Sequence, residues 1–384
     1  MDAAAVTAPA QVPEQLQTRR RYLEIDGLRG WACVSVMLSH LFFGVFINVS
    51  PPFISPDWRL LMEPFLGGTL AVAVFFTLSG DALSASYWMH PSRTELVRHT
   101  VKRYARLTIP ILAASTIVFL LIKTGLTFNH EAAPMLHVDG WLGSFLRGDF
   151  NILDLLWFSG ITVYFGGPTE RALIPFLWIM RIEMLGSLLV LVYLFADFEI
   201  RRRYTAIIFM LLICLGAGSM LACFPIGMLC GIARARGGFA WLRRQAITEP
   251  AALVGFALAL VIGTWCNRMW QGFLTPSIIA GGVVVTCVYA SERLTRFFSA
   301  PLSLWLGQIS FPIFLLHFPV IVSFTSGMAL LAHAYGVLSP AMIWLIVAAS
   351  AALCLFISRL FRPVETWAGR AGTLACNVMM REAA

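Results

Sequence analysis

Four ionisable side chains, His40, Asp81, Glu183 and His317, interrupt stretches of sequence that are otherwise apolar, and Arg29 and Arg181 lie in or beside the same stretches. In hydrocarbon each such group costs about 3 kcal/mol even on the mildest scale, so each is expected to serve a polar interior or a reaction. Arg29 and His40 are eleven residues apart. At 100° per residue this is within about 20° of three whole turns, so both occupy one helix face, with a rise of ~16 Å between them. If Arg29 sits at a membrane boundary, His40 reaches about the midplane of a ~30 Å hydrocarbon core. An imidazole held there can take a proton from a hydroxyl. It can equally be a histidine hydrogen-bonded between helices.

The remaining groups offer partners for that imidazole. Glu183 can orient a ring or pair with an arginine. It lies two residues after Arg181, a spacing at which side chains do not meet on a helix, so each is expected to face the bundle interior and find another partner. His317 follows Ser310 by one heptad on almost the same face. Asp81, directly after Ser79-Gly80, can accept from a hydroxyl, an arginine or the backbone. Arg93, Arg98, Lys102, Arg103 and Arg106 form a basic run at irregular spacing. Such a run either sets topology and touches anionic headgroups or holds phosphate oxygens at the entrance of a pocket.

The elements that must position these groups follow from composition. The chain has 384 residues, 59% of them hydrophobic and 12% charged, against roughly 25% charged in soluble domains. So few charges cannot cover a water-soluble protein of this size. Apolar segments recur at about 28–49, 67–89, 107–127, 173–195, 205–220, 221–233, 250–265, 272–290, 304–328 and 340–360, which predicts an all-α, polytopic membrane bundle of about ten helices. Basic clusters occupy every second gap, and 21 of the 28 basic residues fall on one side. The positive-inside rule then places both termini in the cytoplasm and excludes the single basic face of a nucleic-acid binder. Residues 205–233 are too few for two full spans and predict a tight hairpin of short or buried helices, broken near Gly216, Gly218 and Pro225.

Three regions complete the layout: a disordered cytoplasmic tail over 1–22 with no signal-peptide core, a transmembrane unit over 23–362, and a cytoplasmic tail over 363–384. Segment 128–172 is the longest on the side opposite the termini, and is expected to be an interfacial loop or a cap over a substrate opening. The eight cysteines show no metal-type spacing and are expected to pack as small apolar residues, with no metal in the site.

Five motifs in order carry a resemblance. Ile25-Asp26-Gly27-Leu28-Arg29-Gly30 is followed by His40; Phe75-Phe76-Thr77-Leu78-Ser79-Gly80 comes next; then Arg103-Tyr104-Ala105-Arg106-Leu107 with Pro110. Leu177-Trp178 precedes Glu183 by five residues from the Trp, and Gly307-Gln308-Ile309-Ser310-Phe311 leads to Leu316-His317-Phe318-Pro319. Together they resemble acyltransferase family 3, integral-membrane enzymes that modify surface glycans, lipids and some secondary metabolites. Two departures stand out: Asp81 replaces the apolar or aromatic residue that usually follows Ser-Gly, and Arg181-Ile182-Glu183-Met184 replaces a commoner small-apolar-Glu-aromatic run.

The resemblance implies an acyl-CoA donor, acetyl-CoA above all, on the cytoplasmic side. It implies an acceptor hydroxyl on a cell-surface or lipid-linked glycan, in a multi-pass cell-membrane protein of the bacterial inner membrane. On that basis Arg29, Lys102, Arg103 and Arg106 would hold donor phosphates. His40 would act as general base or accept the acyl group itself, with Glu183 and His317 orienting it or relaying protons. Two alternatives stay open. A proton-coupled carrier of a glycan or lipid precursor would also place His, Glu and Arg in mid-span, but should show internal repeats. An acyltransferase acting on a lipid or small metabolite would share every motif.

Overall fold

The structure, a computed structural model, describes residues 22–50, 52–166, 171–269 and 274–380. The tail expected over 1–22 lies outside these residues except for Tyr22. Among the described residues there is helix and turn and no strand. In chain order the elements used below are α1 (Leu23–Ser39), α2 (Pro56–Met62), α3 (Gly68–Met89), α4 (Arg93–Lys123), α5 (Asn129–Met135), α6 (Ile152–Trp157), α7 (Trp178–Ala196), α8 (Arg203–Gly216), α9 (Cys223–Ala235), α10 (Thr248–Met269), α11 (Thr275–Ala290), α12 (Glu292–Phe298), α13 (Pro301–Gln308), α14 (Ser310–Val320), α15 (Ser326–Ala334) and α16 (Pro340–Met379). Short π-helical turns carry α1 on through His40–Val45 and join α14 to α15 through Ile321–Thr325.

Where about ten spans were expected, seven helices among the described residues are long and apolar enough to cross a membrane, and α11 with α12 forms an eighth candidate bent by 99°. The shortfall lies over 205–233, where the sequence was ambiguous, and over 272–290, whose helix enters the bent pair. Residues 205–233 form the expected hairpin of short helices, α8 and α9, turning at Gly218 with φ +59°, a backbone region that glycine enters at little cost. The segment expected as one helix over 304–328 breaks at Ile309 into α13 and α14. Pro312 has no N–H to give the Gln308 carbonyl and falls in the first turn of α14, where that loss costs least. The last helix runs unbroken to Met379, across the boundary expected after residue 362, with Ala368, Gly372 and Cys376 buried. At Gly372 it lies against α4, where an added Cβ would come 3.2 Å from the Lys102 carbonyl oxygen.

Glycines of the sequence motifs set the closest helix contacts. A Cβ on Gly27 would meet the Phe298 carbonyl oxygen at 1.8 Å, one on Gly30 the Gly307 nitrogen at 2.4 Å, and one on Gly307 the Asp26 carbonyl oxygen at 2.3 Å. These backbones touch with nothing between them, as small residues allow in membrane helix packing. Gly307→Ala is therefore expected to reduce the monodisperse fraction in size-exclusion chromatography severalfold, while Gly369→Ala, with open space at its Cβ, leaves it unchanged. Equal behaviour of the two would mean that the α1–α13 contact yields readily.

Asp81 finds its partners from two other elements. Arg234 of α9 donates to its Oδ1 at 2.5 Å, and the Tyr289 hydroxyl of α11 donates to Oδ2. The Tyr22 ring lies 3.6 Å from the Arg234 guanidinium carbon. Further ion pairs gather at the end of the bundle where α3 and α7 finish. Arg203 and the Tyr87 hydroxyl both donate to Asp197, and Arg93 pairs with Glu199. This end is called the basic face below.

Candidate active site

His40 and His317 meet in the upper half of the bundle, away from the basic face. His317 Nδ1 lies 3.1 Å from the Ile313 carbonyl oxygen. A carbonyl only accepts, so Nδ1 carries the proton and Nε2 of the neutral ring accepts. That Nε2 lies 3.0 Å from His40 Nδ1, which therefore donates. The hydrogen bonds thus assign one tautomer to each ring and leave His40 Nε2 with a free lone pair. An imidazole so oriented is a proton acceptor for a hydroxyl brought against it.

Local structure fixes both rings. His40 opens the π-helical turn that ends the first span, and His317 sits one turn before the second π-helical turn. Such turns widen the helix and recur at functional sites. Phe176 stacks on His40 with centroids 4.0 Å apart and on His317 at 5.1 Å. Trp141 stacks on Phe176 at 5.7 Å and approaches His40 at 5.8 Å. Gly44 makes room for that indole, since a Cβ there would come 2.4 Å from it.

Neither aromatic stood out in the sequence. Trp141 lies in an irregular segment without periodicity. The nearest signal for Phe176 was its place just before the Leu177-Trp178 motif.

From the 128–172 segment, Trp141 and Phe145 reach the aromatic group around the histidine pair. The Phe128 N–H donates to the Val322 carbonyl at 2.7 Å, and Asn48 Nδ2 to the His137 carbonyl at 2.7 Å. Part of the segment departs from an interfacial loop, however. Tyr104 donates to the Gly160 carbonyl at 2.7 Å, and Thr108 and Tyr164 share a hydrogen bond of 2.9 Å. Tyr104 and Thr108 lie 19 and 15 residues before the end of α4, a descent of roughly 22–28 Å. Residues 152–165 therefore dip deep alongside α4. They start from a capping box made by Asn151 and Asp154 and remain too short to count as a span.

Beside the histidine pair a cavity of about 430 Å³ is lined by His40, Phe176, Ser39, Arg59, Glu63 and Trp178, among others. Its rim residues belong to the connections remote from the basic face, so a hydroxyl can approach His40 from that side.

Glu183 does not touch either imidazole; Arg103 of α4 pairs with its Oε1. The pair sits ~10 Å along α7 from Phe176, toward the basic face. Arg103 Nε and Glu183 Oε2 are both buried without a hydrogen-bond partner, so each retains capacity toward a further polar group. Lys102 and Arg106, four residues apart, share the α4 face turned to α16, where Glu365 is near enough to feel Arg106 electrostatically. The basic run is thus divided between two helix faces rather than forming one patch.

Arg29 packs over the Phe75 ring at 5.5 Å, and its buried Nε has no partner; it does not line the His40 cavity. Arg181, expected to face inward, is exposed, because two residues on a helix are ~200° apart and Glu183 takes the interior face. The Ser310 hydroxyl is spent on the Gly307 carbonyl at 2.9 Å and does not reach His317. No cluster of metal-ligating side chains occurs among the described residues, and the eight cysteines are buried and free.

No curated protein and no solved structure matches the chain. A family model described as an acyltransferase domain matches residues 22–359, from the first residue before α1 into α16. A multi-pass helical membrane bundle with two imidazoles joined above a buried Arg–Glu pair is thus what this match covers, and the chain belongs to acyltransferase family 3.

Proposed function

We propose that the protein moves a short acyl group, acetyl in the first instance, from an acyl-CoA thioester to a hydroxyl of a cell-surface or lipid-linked glycan. The basic face is then the cytoplasmic, donor side of a bacterial inner membrane, and the His40 cavity opens on the acceptor side. In the reaction, the acceptor O–H donates to His40 Nε2. As the oxygen attacks the thioester carbonyl, Nε2 takes the proton; the C–S bond then breaks and the thiolate recovers a proton from the imidazolium. The products are an ester and free CoA thiol. His317 holds His40 Nδ1–H throughout, and so leaves Nε2 as the basic nitrogen. The observation that carries this reading is the His40–His317 hydrogen bond at 3.0 Å, with its tautomer set by Ile313.

Inverted vesicles supplied with radiolabelled acetyl-CoA test it. Label is expected in the glycan or lipid fraction. Transport of a glycan precursor with no label incorporated would replace the enzyme by a carrier. On the donor side, Arg103 supplies the charge. Arg103→Gln is expected to raise KM for acetyl-CoA about 10- to 100-fold, the effect of one charge-assisted hydrogen bond. Glu183→Gln, which releases Arg103, should change KM far less. An unchanged KM in the first variant reduces Arg103 to a structural partner of Glu183.

A further inference from the structure

A second cavity, of about 480 Å³, runs beside the first, between α1, α3, α10 and the α11–α12 bend. Its walls are almost wholly apolar, including Leu28, Val34, Leu38, Leu260 and Phe298. It shares Leu66 and Gly67 with the His40 cavity. Gly67 presents no side chain at the junction. A Cβ there would come 2.8 Å from the Thr264 hydroxyl, which lines the His40 cavity. From Leu28 to Leu38 the groove follows α1 for ~15 Å, about half the hydrocarbon thickness of a bilayer.

The helix above the junction, α2, is divided in the same sense. Trp58 and Leu61 are 65% and 62% exposed, and Phe65, just beyond the helix, is 68% exposed while also lining the groove. Arg59 and Glu63, paired at 3.0 Å, turn toward the His40 cavity. An aromatic and aliphatic surface beside a charged pair is the composition of a membrane–water interface. The cavity that carries the Arg59–Glu63 pair therefore adjoins the apolar groove on the side where that interfacial composition lies.

We infer that the acceptor is a single amphiphile, with a hydroxylated head in the His40 cavity and an aliphatic or isoprenoid chain lying in the groove. This rests on the acyl-transfer reading above and narrows its substrate class from glycans in general to membrane-anchored ones. The shared wall of the two cavities at Leu66 and Gly67 favours this occupant over a long acyl chain on the donor, whose phosphates belong at the basic face. The polar lining at Arg59 and Glu63 favours a hydroxyl-bearing head over a hydrocarbon alone.

The test uses the full chain in phosphatidylcholine nanodiscs and a hexadecyl glucoside carrying a diazirine in its chain. Photolysis is expected to label peptides spanning 28–38 and 65–74, and unlabelled hexadecyl glucoside to compete the labelling away. Competition by palmitoyl-CoA would instead assign the groove to a donor chain. Labelling insensitive to the glucoside, and equal to that of a diazirine phosphatidylcholine, would make it a surface for bulk lipid; either result overturns the inference.

A kinetic arm measures acetyl transfer to hexadecyl and methyl glucoside. Partitioning into the nanodisc is common to all variants, so the ratio of the two kcat/KM values reports the groove. Val34→Trp and Leu260→Trp, which fill it from opposite walls, are expected to lower that ratio at least tenfold; an unchanged ratio in both overturns the inference. If the wild type transfers no acetyl group to either glucoside while glucoside-competed labelling persists, the acyl-transfer reading has failed and the binding site has not.

Discussion

His40→Gln is expected to lower acyl transfer by two to four orders of magnitude at equal protein level, the range that a positioned general base contributes. The substitution keeps the polarity and much of the volume at this site, so the aromatic stack with Phe176 and Trp141 has little reason to collapse. His317 acts through His40 and is a positioning residue. His317→Ala should lower kcat with a small change in acceptor KM, because it removes the acceptor that holds His40 Nδ1–H. His317→Gln can offer a carbonyl oxygen to the same proton and should recover part of the loss. If alanine and glutamine are equally poor, His317 is needed for packing alone. Single-turnover experiments separate the two chemistries open to His40: labelled donor without acceptor leaves protein-bound label only if the imidazole becomes acylated. Full activity of His40→Gln would remove this histidine from the reaction.

The largest expected effect on stability lies at Asp81. Asp81→Leu leaves the Arg234 guanidinium, 8% exposed at its side chain, without its counter-charge. Removing one partner of a buried ion pair costs about 3–5 kcal/mol. Thermal unfolding in nanodiscs should therefore fall sharply for this variant and for Arg234→Met. The double variant should regain most of the loss, since an apolar pair of similar volume replaces the charges. Acyl transfer per folded molecule should persist in the double variant. If it disappears there, the Asp81 network takes part in the reaction. The expected rescue also explains a departure from the family pattern: a carboxylate after Ser79-Gly80 is accommodated because α9 and α11 supply Arg234 and the Tyr289 hydroxyl.

The parts of this protein governed by short-range rules were legible in its sequence. Apolar length marks the second and fourth spans to within two residues at each end, while the third starts at Arg93, fourteen residues before the expected 107; the cost of charge in hydrocarbon singles out His40, Asp81, Glu183 and His317. The glycines of two motifs were visible as letters, and their role is steric: Gly27, Gly30 and Gly307 bring α1 against the α12–α13 corner without side chains between. The α8–α9 hairpin followed from the shortage of residues.

What the sequence determined by itself is a membrane bundle and the helices that carry its ionisable groups. Tertiary structure alone decided which groups meet. His40 and His317 are 277 residues apart, and Glu183, equally eligible as a partner for the imidazole, pairs with Arg103 on α4 instead. Periodicity fixes a side chain's direction on its own helix and carries no information about which helix packs opposite. The same limit hid the descent of residues 152–165 beside α4 and the aromatic roof of Phe176 and Trp141. Both depend on shape complementarity between segments distant in the chain, a property of the assembled bundle that no local spacing encodes.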